Sequence, residues 1–200
     1  MVIGGSMRIG ILAYGSLIDE PGDEIEDILV NRIKGVETPF HIEFARKSKS
    51  RNYAPTLIPV GTGGRPVQGV IFELSEGTTL EHARNILYRR ETRNDKSYKH
   101  PVNPTENSVI IGEISDFNGL HVLYTKIGSN IEDLNAEILA DLAINSAKAE
   151  AGKEKKDGIS YLISAKQNNI TTCLSSEYER TILKKTGTKT LIEAWEYCQK

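Results

Sequence analysis

The segment Ala13-Tyr14-Gly15-Ser16-Leu17 is the first place where this sequence could bind a small anionic group. It follows an almost unbroken apolar run, residues 7–14, that has the length and residue types of a buried strand. Successive backbone N–H groups at a glycine turn can converge on an anion, and Gly15 would let a ligand approach the main chain closely. The alternative is a plain turn that ends the strand, with Tyr14 as a packing side chain.

A carboxylate near the end of a predicted helix is the second candidate. Glu91 stands in Leu87-Tyr88-Arg89-Arg90-Glu91-Thr92-Arg93, and a glutamate at a helix C-terminus lies on the unfavourable side of the helix macrodipole. Either a salt bridge to a neighbouring arginine or a catalytic role would explain it. Tyr98 follows in the loop before His100-Pro101, where a tyrosine either covers the core or presents its hydroxyl to a ligand.

Strands and helices must bring these segments together, and their patterns differ along the chain. Apolar runs predict further strands at 38–46, 56–60, 67–74, 108–115 and 119–127. Asn118-Gly119 predicts that the last two of these strands form a hairpin. Two helices are predicted among them, one from the spacing of Ile25, Ile28, Leu29 and Ile33, and one that starts at Thr78-x-x-Glu81 and runs to about Glu91.

Residues 130–200 carry only helical patterns. Leu134, Ile138 and Leu142 space one helix, and further starts stand at Asp157-Gly158, Ser176-x-x-Glu179 and Thr190-x-x-Glu193. No linker rich in glycine, proline or serine separates domains. We therefore expect an α+β fold over residues 1–200 as a single domain: a small mixed β-barrel with flanking helices as the core, about 7–128, and a helical C-terminal tail, about 130–200.

Length, charge and composition exclude several classes of function. The 200 residues carry 25 basic and 27 acidic side chains, and the net charge of −2 argues against a chain that coats nucleic acid. No run of 18 apolar residues predicts a membrane span, and the first residues lack the pattern of a secretion signal. The two cysteines exclude a disulfide framework, so we expect a cytoplasmic protein in which Cys173 is a small core residue. The four histidines show no ligand spacing, so no metal site is expected.

Four parts of the chain, taken in order, resemble the gamma-glutamylcyclotransferase-like superfamily. They are Tyr14-Gly15-Ser16-Leu17, the strand Val67-Gln68-Gly69-Val70-Ile71-Phe72-Glu73-Leu74, the helix end Tyr88-Arg89-Arg90-Glu91, and the C-terminal stretches Asp157-Gly158-Ile159-Ser160-Tyr161-Leu162 and Thr171 to Tyr178. Together they span most of the chain. The first of them alone is a weak motif, whereas its combination with a later glutamate is fairly specific.

This resemblance implies a fold, a reaction and a set of site residues. Characterised members have a small mixed-strand barrel and cleave a γ-glutamyl amide by intramolecular attack, which gives 5-oxoproline and a free amine without metal or organic cofactor. It implies that Tyr14, Gly15, Ser16 and Leu17 bind the glutamyl group, largely through the main chain, and that Glu91 is the catalytic residue. Tyr98 matches a family tyrosine and would hydrogen-bond the glutamyl group.

The implied chemistry suits the residue types. Glu91 would accept the proton of the substrate amine as a general base and then donate a proton to the departing amine. The alternative is a non-catalytic protein of the same fold that binds a γ-glutamyl-like small molecule. Either way the expected partner is a small molecule, and neither nucleic acid nor a membrane. The residues do not identify the leaving group of the substrate, which the loop 92–107 would contact.

Overall fold

The computed structural model describes residues 7–200, which contain seven strands, eight α-helices and one 3-10 turn at Lys49–Arg51. The strands are β1 (Ile9–Ala13), β2 (Leu29–Glu37), β3 (Ile42–Ser48), β4 (Ala54–Pro59), β5 (Gln68–Leu74), β6 (Ile110–Phe117) and β7 (Leu120–Lys126). The helices are α1 (Ser16–Asp19), α2 (Asp23–Glu26), α3 (Leu80–Thr92), α4 (Ala136–Lys148), α5 (Glu150–Lys153), α6 (Gly158–Gln167), α7 (Ser175–Thr186) and α8 (Leu191–Cys198). This composition confirms the predicted α+β class.

Two compact units divide the chain. The first contains residues 7–36 and 69–127, and the second contains residues 37–68 and 128–200. Residues 37–68 thus group with the C-terminal helices, whereas the sequence suggested that they belong to the core at 7–128. All the candidate site residues lie in the first unit.

A five-stranded mixed sheet in the order β2-β5-β1-β7-β6 forms the first unit. The central strand β1 is buried at every position and pairs antiparallel with β5 and parallel with β7. Asn118 and Gly119, with φ of 56° and 74°, connect β6 to β7, as the hairpin signal predicted. The expected barrel would need a ladder between the edge strands β2 and β6, and none exists within residues 7–200, so the sheet is open there.

The predicted helix over Ile25 to Ile33 is wrong beyond its first turn. The helix α2 ends at Glu26, and strand β2 begins at Leu29. The β-branched residues Ile28, Val30 and Ile33 favour extended backbone. Pairing of β2 with β5 therefore overrides the helical spacing of the apolar residues.

Helix α3 is the element that carries Glu91. The Thr79 hydroxyl accepts the first-turn hydrogen bond from His82 N at 3.1 Å, so the cap lies one residue after the predicted Thr78. Ala83, Ile86 and Leu87 are buried where α3 packs on β1, β6 and β7. The helix ends where Arg93 adopts left-handed backbone, which leaves Glu91 in the last turn, as predicted.

The second unit packs helices on the β3–β4 hairpin. Caps at Asn135, Asp157 and Thr190 start three of the predicted helices, because each side chain accepts from backbone N–H groups of the first turn. Cys173 is exposed, and its Sγ lies 3.1 Å from Gly64 O, so the expectation of a core cysteine is wrong. No helix between residues 7 and 200 combines the length and the apolar character needed to span a bilayer.

Candidate functional site

The turn after β1 begins at Gly15 and leads directly into α1. Gly15 adopts φ 74° and ψ −142°, a conformation that other residues rarely adopt. The Gly15 carbonyl accepts from Ile18 N at 3.1 Å and the Ser16 carbonyl accepts from Glu20 N at 2.9 Å. Gly15 and Leu17 are buried and Ser16 is half-buried, so the turn is held against the sheet. Backbone hydrogen bonds and burial therefore both stabilise the turn.

Gly69 of the strand motif explains how closely β5 approaches this turn. A Cβ atom at position 69 would lie 2.9 Å from the Ala13 carbonyl oxygen and 3.2 Å from Leu12 Cδ1. Real Cβ atoms do not come so close to backbone, so glycine is required there for the two strands to pack. This requirement gives a physical reason for a residue that carried the resemblance.

The Tyr14 hydroxyl donates a hydrogen bond to the Thr125 carbonyl oxygen on β7. β1 ends at Ala13, so the backbone of Tyr14 is no longer part of the pairing between β1 and β7. The phenol thereby satisfies a carbonyl group beyond the end of the strand pairing. Tyr14 thus anchors the turn to the parallel neighbour of β1.

Arg90 connects the turn to Glu91. Its guanidinium donates to the Glu20 carbonyl oxygen from Nε at 3.0 Å and from Nη2 at 2.7 Å. Nη2 also lies 3.3 Å from Ser16 Oγ, and Nη1 donates to Glu91 Oε1 at 2.7 Å. Ser16 and Glu91 therefore lie at two ends of one guanidinium, although they are 75 positions apart in the sequence.

The two oxygens of the Glu91 carboxylate have different surroundings. Its side chain is 24% exposed and that of Arg90 is 17% exposed, so the ion pair is largely shielded from solvent. Oε1 is bound by Arg90, whereas Oε2 accepts no hydrogen bond from any residue in the described range 7–200. One oxygen is therefore oriented by the protein, and the other is left to exchange a proton or bind a ligand.

A second arginine holds α2 against α3. Arg89 Nε donates to Glu24 Oε1 at 2.8 Å, and this hydrogen bond lowers the pKa of Glu24 below its ordinary value. Gly22, which precedes α2, has a φ of 85°, a backbone conformation that favours glycine. Sequence reasoning did not assign these arginines to the site. The available signal was their position beside Glu91, which also suits an ordinary salt bridge.

Tyr98 lies beside the edge strand β6. Its backbone N–H donates to Asn85 Oδ1 at 2.7 Å, and its ring packs on Tyr88 with centroids 5.4 Å apart. The hydroxyl accepts from Ile111 N at 3.2 Å and lies 3.0 Å from His100 Nδ1. The Tyr98 hydroxyl therefore already has two partners within the protein.

Arg90 links Ser16 with Glu91, whereas Tyr98 has no direct contact with either of them. Within residues 7–200, no hydrogen bond, ion pair or ring contact joins Tyr98 to Glu91 or to the turn. Ile111 pairs with Thr125 across β6 and β7. The Tyr98 and Tyr14 hydroxyls therefore bind the backbone of the same residue pair, Tyr98 at Ile111 and Tyr14 at Thr125.

In the described part of the chain, no three histidine, cysteine, aspartate or glutamate side chains are grouped as a metal site. Glu113 pairs with His121 at 2.9 Å, and Arg84 also binds Glu113 at 2.6 Å. An open depression of about 290 Å³ lies beside His121, and none of the candidate site residues lines it. Its lining consists of Met7, Arg8, Ser115, Asp116, Gly119, Leu120 and His121.

No protein-family model matches the chain, and no curated protein matches it significantly. The arrangement itself combines an oriented carboxylate, a rigid glycine turn and an arginine that links them. Such a set can bind an anionic group at the turn and transfer a proton at the carboxylate.

Proposed function

We propose that this protein is a gamma-glutamylcyclotransferase-like enzyme that converts a small γ-glutamyl amide to 5-oxoproline and a free amine. The observation that carries the proposal is the Arg90 guanidinium, which bonds both Ser16 Oγ and Glu91 Oε1. The proposed base therefore stands beside the proposed glutamyl-binding turn. The open mixed sheet with its flanking helix α3 would be this chain's version of the superfamily fold.

The turn would bind the glutamyl end of the substrate. The backbone N–H groups of Gly15, Ser16 and Leu17 are suited to the α-carboxylate or to the oxyanion that develops on the γ-carbonyl. Two of these residues are buried, and hydrogen bonds to a charged oxygen are stronger where water is excluded. Arg90 keeps the turn rigid, so its donors need not reorganise when the ligand binds.

Glu91 would transfer the protons of the reaction. The substrate α-amine loses a proton to the carboxylate and attacks its own γ-carbonyl carbon, which forms the ring C–N bond. When the original amide C–N bond breaks, the departing amine takes a proton from Glu91, so the carboxylate returns to its starting state. The attack is intramolecular, so the protein mainly has to hold the substrate in a folded conformation.

The proposed reaction requires no cofactor, because both the nucleophile and the leaving group belong to the substrate. We place it in the cytoplasm, where small γ-glutamyl compounds would be the partners. The alternative is a binding protein of the same fold. The Arg90–Glu91 ion pair favours this alternative, since the carboxylate could have a purely structural role in which it orients Arg90 toward the turn.

A product analysis tests the proposal. The purified protein is incubated with glutathione, γ-glutamyl amino acids and γ-glutamyl amines, with and without a chelator, and the products are identified by mass spectrometry. We expect 5-oxoproline from at least one class, at a rate that the chelator does not change. Free glutamate as the primary product would mean that water attacks the amide. Saturable binding without product would support the alternative.

A further inference from the structure

The Thr125 hydroxyl is buried and has no hydrogen-bond partner among residues 7–200. Burying a hydroxyl without a partner is unfavourable, and native proteins contain few such groups. The carbonyl group of the same residue accepts from Tyr14, so the surroundings of Thr125 are polar on one side. This hydroxyl is therefore a group that a ligand could satisfy.

The register of the β6–β7 hairpin shows which face of the sheet Thr125 occupies. Thr125 pairs with Ile111, and Leu123 pairs with Glu113. Residues directly opposite each other share a face, and so do residues two apart on one strand. Glu113 forms an ion pair with Arg84 of α3, so this is the face that α3 covers.

The direction of α3 brings its C-terminal end to the same level as Thr125. Arg84 binds Glu113, which is level with Leu123 on β7. β1 runs parallel to β7 with Ile11 beside Leu123, so the end of β1 is level with Thr125. Arg90, in the last turns of α3, binds Ser16 just beyond that end. The Thr125 side chain thus lies on the α3 side of the sheet, at the end of the strands where Arg90 joins Ser16 and Glu91.

We propose that the Thr125 hydroxyl is a further ligand-binding group of this site and donates a hydrogen bond to an oxygen of the glutamyl group. This inference rests on the proposed function and adds a side-chain donor to a turn that otherwise offers backbone donors. The bound oxygen would satisfy the hydroxyl that is unpartnered in the free protein. Thr125 would thereby contribute to affinity for the glutamyl end, while proton transfer stays with Glu91.

Two variants separate ligand binding from structure. Thr125→Val keeps the shape and removes the hydroxyl, and Thr125→Ser keeps the hydroxyl. We expect Thr125→Val to raise KM for a γ-glutamyl amide about tenfold or more with a smaller change in kcat, and Thr125→Ser to stay near the parent. The ligand-free Thr125→Val protein should be at least as stable as the parent, because no hydrogen bond is lost.

A control comes from a threonine whose hydroxyl is satisfied. Thr56 Oγ1 donates to the Arg46 carbonyl oxygen at 3.1 Å, so Thr56→Val should lower stability and leave KM unchanged. If Thr125→Val behaved like this control, with lower stability and the parent's KM, Thr125 would be a structural residue and the inference would be wrong.

Calorimetry with 5-oxoproline and L-glutamate keeps this inference separate from the reaction. If the parent forms no 5-oxoproline from any substrate but binds either probe, and Thr125→Val weakens that binding, the proposed function fails and the Thr125 site stands. If the parent turns over a γ-glutamyl amide and Thr125→Val has the same KM, the proposed function stands and the inference about Thr125 is wrong. A parent that binds and converts none of these compounds contradicts both.

Discussion

Arg90 donates to three acceptors at the end of α3: the Glu20 carbonyl oxygen, Ser16 Oγ and Glu91 Oε1. A guanidinium presents several N–H donors in one rigid plane, so it can bind acceptors that lie in different directions. A lysine ammonium in its place would be a single point charge. At the scale of residues, the geometry of the candidate site therefore depends on a side chain that does not itself perform the proposed chemistry.

The substitution Glu91→Gln tests the proposed base. The change is nearly isosteric, so the fold should persist, with a loss of at most about 1 kcal/mol from the partly exposed Arg90 ion pair. Loss of the base should lower the rate of 5-oxoproline formation by ~10²–10⁴-fold. The matched control is Glu76→Gln, which removes an exposed carboxylate before α3 and should keep the parent's rate. Turnover of Glu91→Gln at the parent's rate would make Glu91 a structural residue.

The substitution Arg90→Lys tests the link between turn and carboxylate. One ammonium cannot bond Glu20 O and Glu91 Oε1 in the geometry that the guanidinium provides, so we expect kcat/KM to fall at least about tenfold. Arg93→Lys is the control, because Arg93 is exposed and follows the helix end. Steady-state kinetics on both variants would contradict the role of Arg90 if they gave the same values.

At the scale of elements, a carboxylate on β5 ties three strands of the first unit together. Glu73 accepts from Arg8, just before β1, and from Asn31 of β2 at 3.3 Å. The hydrogen bond from Arg8 is the main cause that lowers the pKa of Glu73 below its ordinary value. Because the folded protein favours the ionised form, this contact stabilises the sheet above the ordinary pKa and is lost as the pH falls through the folded value.

The substitution Glu73→Gln should therefore reduce stability in a pH-dependent way. Urea unfolding at pH 7 should show a loss of up to about 1 kcal/mol, since Glu73 is largely buried but Arg8 is exposed. At acid pH, once the pH has fallen through the lowered pKa of Glu73, the parent loses the ionised form that makes this contact, so the difference between the two proteins should be smaller than at pH 7. Glu76→Gln serves again as the control, with no such dependence expected. An equal difference at both pH values would contradict the assignment.

At the scale of the whole molecule, the chain consists of two compact units with different cores. The first unit is built on the mixed sheet and contains the candidate site, and the second packs helices on a hairpin. The core of the second unit includes Tyr178, which is fully buried and packs on Phe44 with ring centroids 5.3 Å apart. Its hydroxyl has no partner among residues 7–200, and burial raises its pKa.

The substitution Tyr178→Phe should leave the free energy of unfolding equal to that of the parent, or raise it by up to about 1 kcal/mol. The reason is that the ring packing stays, while an unsatisfied hydroxyl is removed. Tyr161→Phe is the contrasting variant, because the Tyr161 hydroxyl accepts from Leu57 N at 3.4 Å and its loss should be destabilising. Thermal and urea unfolding measure both. A clear loss of stability in Tyr178→Phe would mean that the hydroxyl has a partner.

Local patterns predicted a large part of this molecule. The strand β1, the hairpin at Asn118-Gly119, the last turn of α3 at Glu91 and the C-terminal helices all follow from turn residues, caps and periodicity. These signals act over a few residues, so a single segment contains the information. The candidates Gly15, Ser16 and Glu91 could be named for the same reason, since each stands at the end of a recognisable element.

The contacts between distant segments could not be predicted in that way. The apolar residues from Ile28 to Ile33 suit a helix in isolation, and only the partner strand β5 makes them β2. Whether Arg90 would bind Ser16, whether the Tyr98 hydroxyl would bind Ile111 N, and which face of the sheet Thr125 would occupy depend on register and on the direction of α3. Tertiary structure decides these points because strand pairing and helix packing are set by residues far apart in the chain.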